Sequence, residues 1–305
     1  MKQPLWGIDL GGTKVEGVIL PPSGDPKPIL RTRIDTEASH GYHHIISQIG
    51  KLVDQMKEQS GLIPSRIGFG TPGVLDPVLK TMKNCNSTAL NGMPLKKDLE
   101  EKLNIPVQLA NDANCFALAE AHWGAVKQKA PGAKMVFGII LGTGVGGGIV
   151  MEEKIWPGLH GIAGEWGHNF LDESGGPCYC GKTGCVETII SGPALERYYE
   201  SVSGKKIRLK EIVAKHLEGK DEVASKTIHR LCHFFGKAVS SITNMLDPDI
   251  IVVGGGVGNI EDIYTEGVQS LKHFIFNNYC TVPVIRPELG DSAGVFGAAA
   301  LTQKH

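Results

Sequence analysis

Apolar residues recur in two periods along this chain of 305 residues. Short β-type runs at Leu5–Leu10, Ile67–Phe69, Met135–Leu141 and Ile250–Val253 each lead into glycine, and such runs read as buried strands. Residues 42–58 instead carry Ile45, Ile46, Ile49, Leu52, Val53 and Met56. That spacing of three to four predicts an amphipathic helix. Further strands are predicted around Ile29–Ile34, Arg66–Gly70, Pro106–Ala110 and Asp249–Val253. Helices are predicted over Pro94–Leu103, with proline in its first turn, and over Ala113–Trp123. A helical block follows from about Pro193 to Met245, and an Ala-rich helix over Ser292–Thr302 closes the pattern. Strands and helices mixed in this order fit an α/β chain, with helices on the faces of a mixed sheet. No linker is visible, and a domain border is expected between Asp112 and Met135.

Two segments resemble each other. Residues 6–19 read WGIDLGGTKVEGVI and residues 137–150 read FGIILGTGVGGGIV. Gly7/Gly138, Ile8/Ile139, Leu10/Leu141, Gly11/Gly142 and Gly17/Gly148 are identical pairs. Each copy reads as strand, Gly-rich turn and strand, which suggests two related α/β domains. Asp9 of the first copy is replaced by Ile140 in the second. A carboxylate in one copy only suggests a contact to a metal or a phosphate-bound water on that side.

Composition adds one anomaly. Forty glycines make up about 13 % of the chain, against an average near 7 %. Of these, 28 fall in seven short clusters, so they do not form a flexible linker. Glycine after a strand lets backbone N–H groups approach a ligand, and several clusters in one chain suggest phosphate-handling turns. A tight hairpin is the plainer reading of any one of them. Lys plus Arg number 31 and Asp plus Glu 32, a net charge of −1. That balance argues against a nucleic-acid partner. No apolar run approaches the ~18 residues of a membrane span, and Asp9 with its glycines interrupts any signal-peptide core. A cytoplasmic location is therefore expected, with the seven cysteines reduced or metal-bound.

Three of those cysteines stand within eight residues, at Cys178, Cys180 and Cys185, with His168 ten residues before the first. Three thiolates and an imidazole fit a closed tetrahedral site for structural Zn²⁺. The alternative is a surface loop of free thiols, an oxidation hazard in a reducing compartment. Cys85, Cys115, Cys232 and Cys280 are scattered and read as small buried apolar residues. Glu165 precedes His168 by three residues and Glu187 follows Cys185 by two, so a metal clamp would fix both carboxylates. The second ring nitrogen of a metal-bound His168 would be left to donate a hydrogen bond. Asn111 and Asp112 stand before an Ala-rich helix and read, taken alone, as an N-cap pair.

Taken together, the chain resembles the ROK family of sugar kinases and repressors, within the actin-like superfold. The resemblance rests on Asp9-Leu-Gly-Gly-Thr-Lys14, Asn111-Asp-Ala-Asn114, Leu141-Gly-Thr-Gly-Val-Gly-Gly-Gly148, Glu165-Trp-Gly-His168, the cysteine motif through Glu187, and Gly254-Gly-Gly256. Lys83–Gly92, Ala163–Asn169 and Cys178–Thr188 look most like bacterial fructokinases of the mannofructokinase type. Asn111–Ala119 and Gly142–Gly148 are also similar to N-acetylglucosamine kinases. Some fructokinases of this type carry an insert between the histidine and the first cysteine, which is absent here.

The resemblance implies two actin-like, ribonuclease H-like domains with the active site in the cleft between them. They are expected at 1–115 and 116–291, with a final helix at about 292–305 packing back on the first. The implied reaction is transfer of the ATP γ-phosphoryl group to a hexose hydroxyl, that of C6, with fructose ahead of glucose, mannose and N-acetylglucosamine. Asp112 matches the catalytic base. Gly73, Asn111, Asp112, Glu165, His168 and Glu187 match sugar-binding positions. Asp9, Gly11, Gly12, Thr13, Lys14, Gly142, Thr143, Gly144, Gly254, Gly255 and Gly256 match ATP-binding positions, Asp9 through water on Mg²⁺. His168, Cys178, Cys180 and Cys185 match the zinc ligands. A homodimer is typical of the family. A sugar-sensing repressor is the competing reading; it needs a helix-turn-helix before the first hairpin, which begins here at Gly7.

Overall fold

The structure is a computed structural model and describes residues 3–23 and 25–303. The chain opens with strands β1 (Leu5–Leu10), β2 (Lys14–Leu20) and β3 (Leu30–Asp35), then helix α1 (Tyr42–Ser60). Next come β4 (Ile67–Thr71), β5 (Val74–Leu75), β6 (Met82–Lys83), α2 (Leu95–Leu103) and β7 (Val107–Asn111). Helices α3 (Asp112–His122) and α4 (Ala125–Lys129) lead to β8 (Met135–Leu141), β9 (Val145–Met151) and β10 (Lys154–Ile155). The remainder holds α5 (Glu187–Ile190), α6 (Gly192–Ser203), α7 (Leu209–Leu217), α8 (Glu222–Leu246), β11 (Ile250–Gly254), α9 (Glu266–Phe274), β12 (Val284–Ile285) and α10 (Ala293–Ala300).

The two large sheets have the same build. Their strand orders are β3-β2-β1-β4-β7 and β10-β9-β8-β11-β12. In each, a meander at one edge gives way to parallel strands at the other. The hairpins β1–β2 and β8–β9 turn over the same three aligned residues, 11–13 and 142–144. The internal repeat is thus carried by whole sheets, not by one motif.

Contacts divide the chain into two compact units, one of Met1–Pro131, Gly148–Ala163 and Glu288–His305, the other of Gly132–Gly147 and Gly164–Pro287. A border at 115/116 would cut α3, whose residues stay together in the first unit. In that unit, period two along β1 sends Trp6, Ile8 and Leu10 into a core with Ile45, Ile49, Leu52 and Met56 of α1 and Phe69 of β4. The opposite face carries Gly7 and Asp9, paired with Gly68 and Gly70 of β4. Helix α10 packs on β1, β4 and α3 from that side. It approaches so closely that a Cβ at Gly68 would lie 1.9 Å from the Ala298 carbonyl oxygen, and one at Gly297 1.8 Å from that of Cys115. Lys304 and His305, the last residues of the expected final helix, lie outside the described residues. In the second unit, α8 packs against α6, α7 and α9.

Several glycines therefore serve helix packing and not ligand approach, which narrows what their clustering means. Gly7, Gly68 and Gly297 belong to this class.

Candidate functional site

In the first unit, Asp9 is half-buried on the glycine face of β1. A Cβ at Gly70 would come 3.1 Å from its Oδ1, and one at Gly294 3.4 Å from its Oδ2. The two glycines leave just enough room for the carboxylate. Burial pushes it up to about 6, Asp112 and Glu16 add to the rise, and Arg33 opposes it. Glu16 itself is held by Arg31 and Arg33, the latter at 2.9 Å. The adjacent turn is stapled by Gly11 N–H to the Lys14 carbonyl at 3.0 Å and by the Thr36 hydroxyl to the Gly11 carbonyl at 2.9 Å. Gly12, Thr13 and Lys14 are exposed at its tip.

Asn111 and Asp112 divide the work at the start of α3. The Asn111 Oδ1 accepts the Asn114 N–H at 2.9 Å and is the N-cap. Asp112 is the first helical residue, and its Oδ1 accepts the N–H of Ala113 at 2.8 Å. The cap is thus supplied without Asp112, and the capping oxygen of Asn111 is occupied. Solvent reaches Asp112, yet the protein packed around its carboxyl raises it above the ordinary carboxylate range. Hydrogen bonding from Ala113 opposes that rise. Gly73, between β4 and β5, is buried, and its carbonyl accepts the Thr71 hydroxyl at 2.8 Å.

The second unit holds the other turns. Gly142 donates to the Gly144 carbonyl at 2.9 Å, and its own carbonyl accepts the Gly192 N–H at the start of α6 at 2.9 Å. Thr143 lies between them. The Glu187 carboxylate, from the first residue of α5, accepts the Val145 N–H at 2.9 Å. A Cβ at Gly144 would stand 2.7 Å from that carboxylate. Gly254 ends β11, and Gly255, at φ 85°, folds so tightly onto β8 that a Cβ would lie 2.2 Å from the Leu141 carbonyl oxygen. Gly256 faces open space. The two Gly-rich turns of this unit and Glu187 therefore form one cluster.

Beside it lie Glu165, His168, Cys178, Cys180 and Cys185. A 3₁₀ turn over Trp166–His168 carries Glu165 at its start and His168 at its end. Trp166 is buried, and its indole N–H donates to the Gly146 carbonyl at 3.1 Å. The cysteine loop is a hairpin with bridges Phe170–Cys185 and Pro177–Thr183. His168 Nδ1 stands 3.6 Å from Cys178 Sγ, and Cys180 Sγ 3.6 Å from Cys185 Sγ. All four ligand atoms fall within 4.8 Å of one another. Tetrahedral bonds of ~2.3 Å to sulfur and ~2.05 Å to nitrogen put adjacent ligand atoms ~3.6–3.8 Å apart. The donor set and its spacing fit one tetrahedral ion.

Sequence reasoning missed two neighbours of these groups. Tyr179 stands between two of the cysteines. Its hydroxyl lies 3.0 Å from His168 Nε2, so the nitrogen expected to be free has a partner. The two rings meet edge to face at 5.1 Å. Glu187 and Glu165 lie close enough to raise the phenol, which burial and these charges push up to about 12. Cys115 is buried under Asp9 and Asp112, and burial with both carboxylates pushes its thiol well above the usual range. Its position three residues after Asp112 on one helix was a usable signal. Of the remaining cysteines, Cys85 and Cys232 are buried and Cys280 only partly so.

Compared with known protein families, residues 5–305 match the one described as the ROK family. N-acetyl-D-glucosamine kinase of Histophilus somni is 34 % identical over 308 residues, covering 97 % of this chain and 98 % of that protein. The enzyme of the same name from Vibrio vulnificus is 34 % identical over 309 residues, with 98 % and 99 % covered. Among solved structures, a ROK hexokinase from Thermus thermophilus superposes with a TM-score of 0.86 at 30 % identity, covering 98 % and 97 % of the two chains. A ROK glucokinase from Streptomyces griseus, solved with glucose and AMPPNP, gives 0.77 at 28 % identity, covering 98 % and 99 %. Fructose, which the sequence motifs put first, has no support among these relatives.

Proposed function

This chain belongs to the ROK family, and we propose that it is an ATP-dependent sugar kinase acting on the C6 hydroxyl of an aldohexose or its 2-acetamido derivative. The observation that carries the reading is Asp112. It is a carboxylate within reach of solvent, relieved of capping by Asn111 and raised above its ordinary range.

A raised carboxylate is a better base at neutral pH. Asp112 would take the hydroxyl proton of the sugar as the new bond to phosphorus forms. The exposed turn at Gly11–Lys14 and the turns Gly142–Gly144 and Gly254–Gly256 offer backbone N–H groups to phosphate oxygens. Asp9 would hold Mg²⁺, which when bound would supply neutralisation of the charge on the transferred phosphoryl group. Asn111, through its amide, and Glu165, His168 and Glu187 would hold sugar hydroxyls, with Gly73 a backbone contact. His168, through Nδ1, and Cys178, Cys180 and Cys185 would hold a structural zinc. Its place is to keep Glu165 and Glu187 at a fixed separation although they are far apart in sequence.

A coupled ADP-release assay over N-acetylglucosamine, glucose, mannose and fructose tests the reading. Turnover is expected with at least one of the first three. None with any of the four, in folded and zinc-replete protein, sinks it. Asp112→Asn is expected to lower kcat by at least ~10²-fold while sugar binding survives. A rate near that of the parent would remove Asp112 from the role of base.

A further inference from the structure

We propose that Glu37, His40 and His44 form a second metal site, for an exchangeable divalent first-row transition ion. The three ligand atoms fall within 4.8 Å of one another. The chain brings them together within eight residues. Glu37 adopts the left-handed conformation, φ 50° and ψ 43°, and starts a 3₁₀ turn over Ala38–His40. Gly41, at φ 89°, then reverses the chain into α1, so that His44 faces back from its first turn.

The Glu37 carboxylate is positioned from within the protein. Gln48, one turn further along α1, donates to its Oε2 at 3.1 Å and to the Asp35 carbonyl at 3.0 Å. His44 Nε2 lies 2.6 Å from the same oxygen, and His40 Nδ1 3.8 Å. The imidazoles meet edge to face at 4.8 Å. Around an ion with bonds of ~2.05 Å, tetrahedral ligand atoms stand ~3.3 Å apart. The two observed separations bracket that value. Glu37 and His40 are exposed and His44 is partly so, which leaves the carboxylate and the His40 ring room for small rotamer adjustments.

A plain ion pair accounts for His44 but not for His40, whose nitrogen is beyond hydrogen-bond reach of the carboxylate. A shared ion engages both. Two imidazoles and a carboxylate, without a thiolate, suit Zn²⁺, Co²⁺, Ni²⁺ or Cu²⁺ more than Mg²⁺ or Ca²⁺. Three protein ligands leave a coordination position to water, so this ion exchanges where that of a closed four-ligand site does not. The site lies in the first unit and does not depend on the kinase reading.

The experiment uses the full chain, its thiolate site loaded with zinc and loosely held metal removed, titrated with Co²⁺ alone. One equivalent is expected to bind per chain, with visible d–d bands and no thiolate-to-cobalt charge-transfer band. The double variant His40→Ala/His44→Ala should weaken that binding at least tenfold, and His43→Ala should leave it unchanged. Glu37→Gln, which keeps both imidazoles, should weaken it too and guards against a folding defect in the double variant. Cobalt that binds only with a charge-transfer band, or equally well in the double variant, overturns the site.

Discussion

Asp9 and Asp112 both carry carboxyls raised above their ordinary range, Asp9 between two glycines and Asp112 at the start of a helix. Each is a charge that the empty fold holds at a cost. For Asp9 the cost is present above about pH 6, where the folded carboxyl is ionised. It fades as pH falls from 6 towards 3.8, because the folded state takes up a proton there and the unfolded chain does not. Asp9→Asn should therefore stabilise the unliganded protein at pH 8, by about 1–3 kcal/mol after screening, and by roughly half as much at pH 5. Thermal unfolding of both proteins at the two pH values checks this. A gain that is equal at both, or larger at pH 5, would contradict it.

Tyr179 belongs to the same scale. Its hydroxyl lies against the His168 nitrogen that a sugar hydroxyl would need, and the residue as a whole is 75 % exposed. Removing the hydroxyl by Tyr179→Phe should tighten sugar binding about fivefold, the worth of one net hydrogen bond. The zinc content should not change. Calorimetry showing equal or weaker binding would mean that Tyr179 does not compete with the sugar.

At the scale of elements, α10 depends on the absence of side chains beneath it. Gly68→Ala sets a methyl group against the Ala298 backbone, which cannot rotate away. A loss of about 1–3 kcal/mol or more is expected, read as a lowered melting temperature. Ala at exposed Gly12, whose nearest neighbour is the movable Ser87 hydroxyl at 3.3 Å, should cost far less. The long elements were legible: α1 from its period, α2 from the proline at its start, α3 from its alanines, and likewise the strands into glycine and the block from α6 to α8. The two-residue strands β5, β6, β10 and β12 were not, since two residues carry no period. Nor was α9, which follows two short 3₁₀ turns with no cap motif to announce it. For the site, the four residues that could hold a metal ion stood in one compact motif, and their grouping could be read directly. The partners of His168 and Asp9 could not, because Tyr179 and the Gly70–Gly294 pair meet them only through tertiary structure.

At the scale of the whole molecule, the duplicated sheets put the metal loop in one unit only. Removing the proposed zinc with a strong chelator should therefore act first on the second unit. Trp166 is buried there beside the loop, whereas Trp6 is buried in the first unit. Chelation is expected to shift tryptophan emission and abolish sugar binding while unfolding only part of the chain, and one equivalent of zinc should be released. Intact emission and binding after release of the metal would make the site dispensable.

The return of α10 also governs the order in which this protein can be made. β1, β4 and α3 are made well before the helix that covers them, which is encoded some 280, 220 and 170 residues later, respectively. At ~5–20 residues per second, the glycine face of β1 and β4 waits roughly 10–45 seconds for its cover during synthesis. Until then the early strands have a finished core on one side only. The N-terminal unit can be completed only once α10 has been made, and chaperones have that interval in which to hold it.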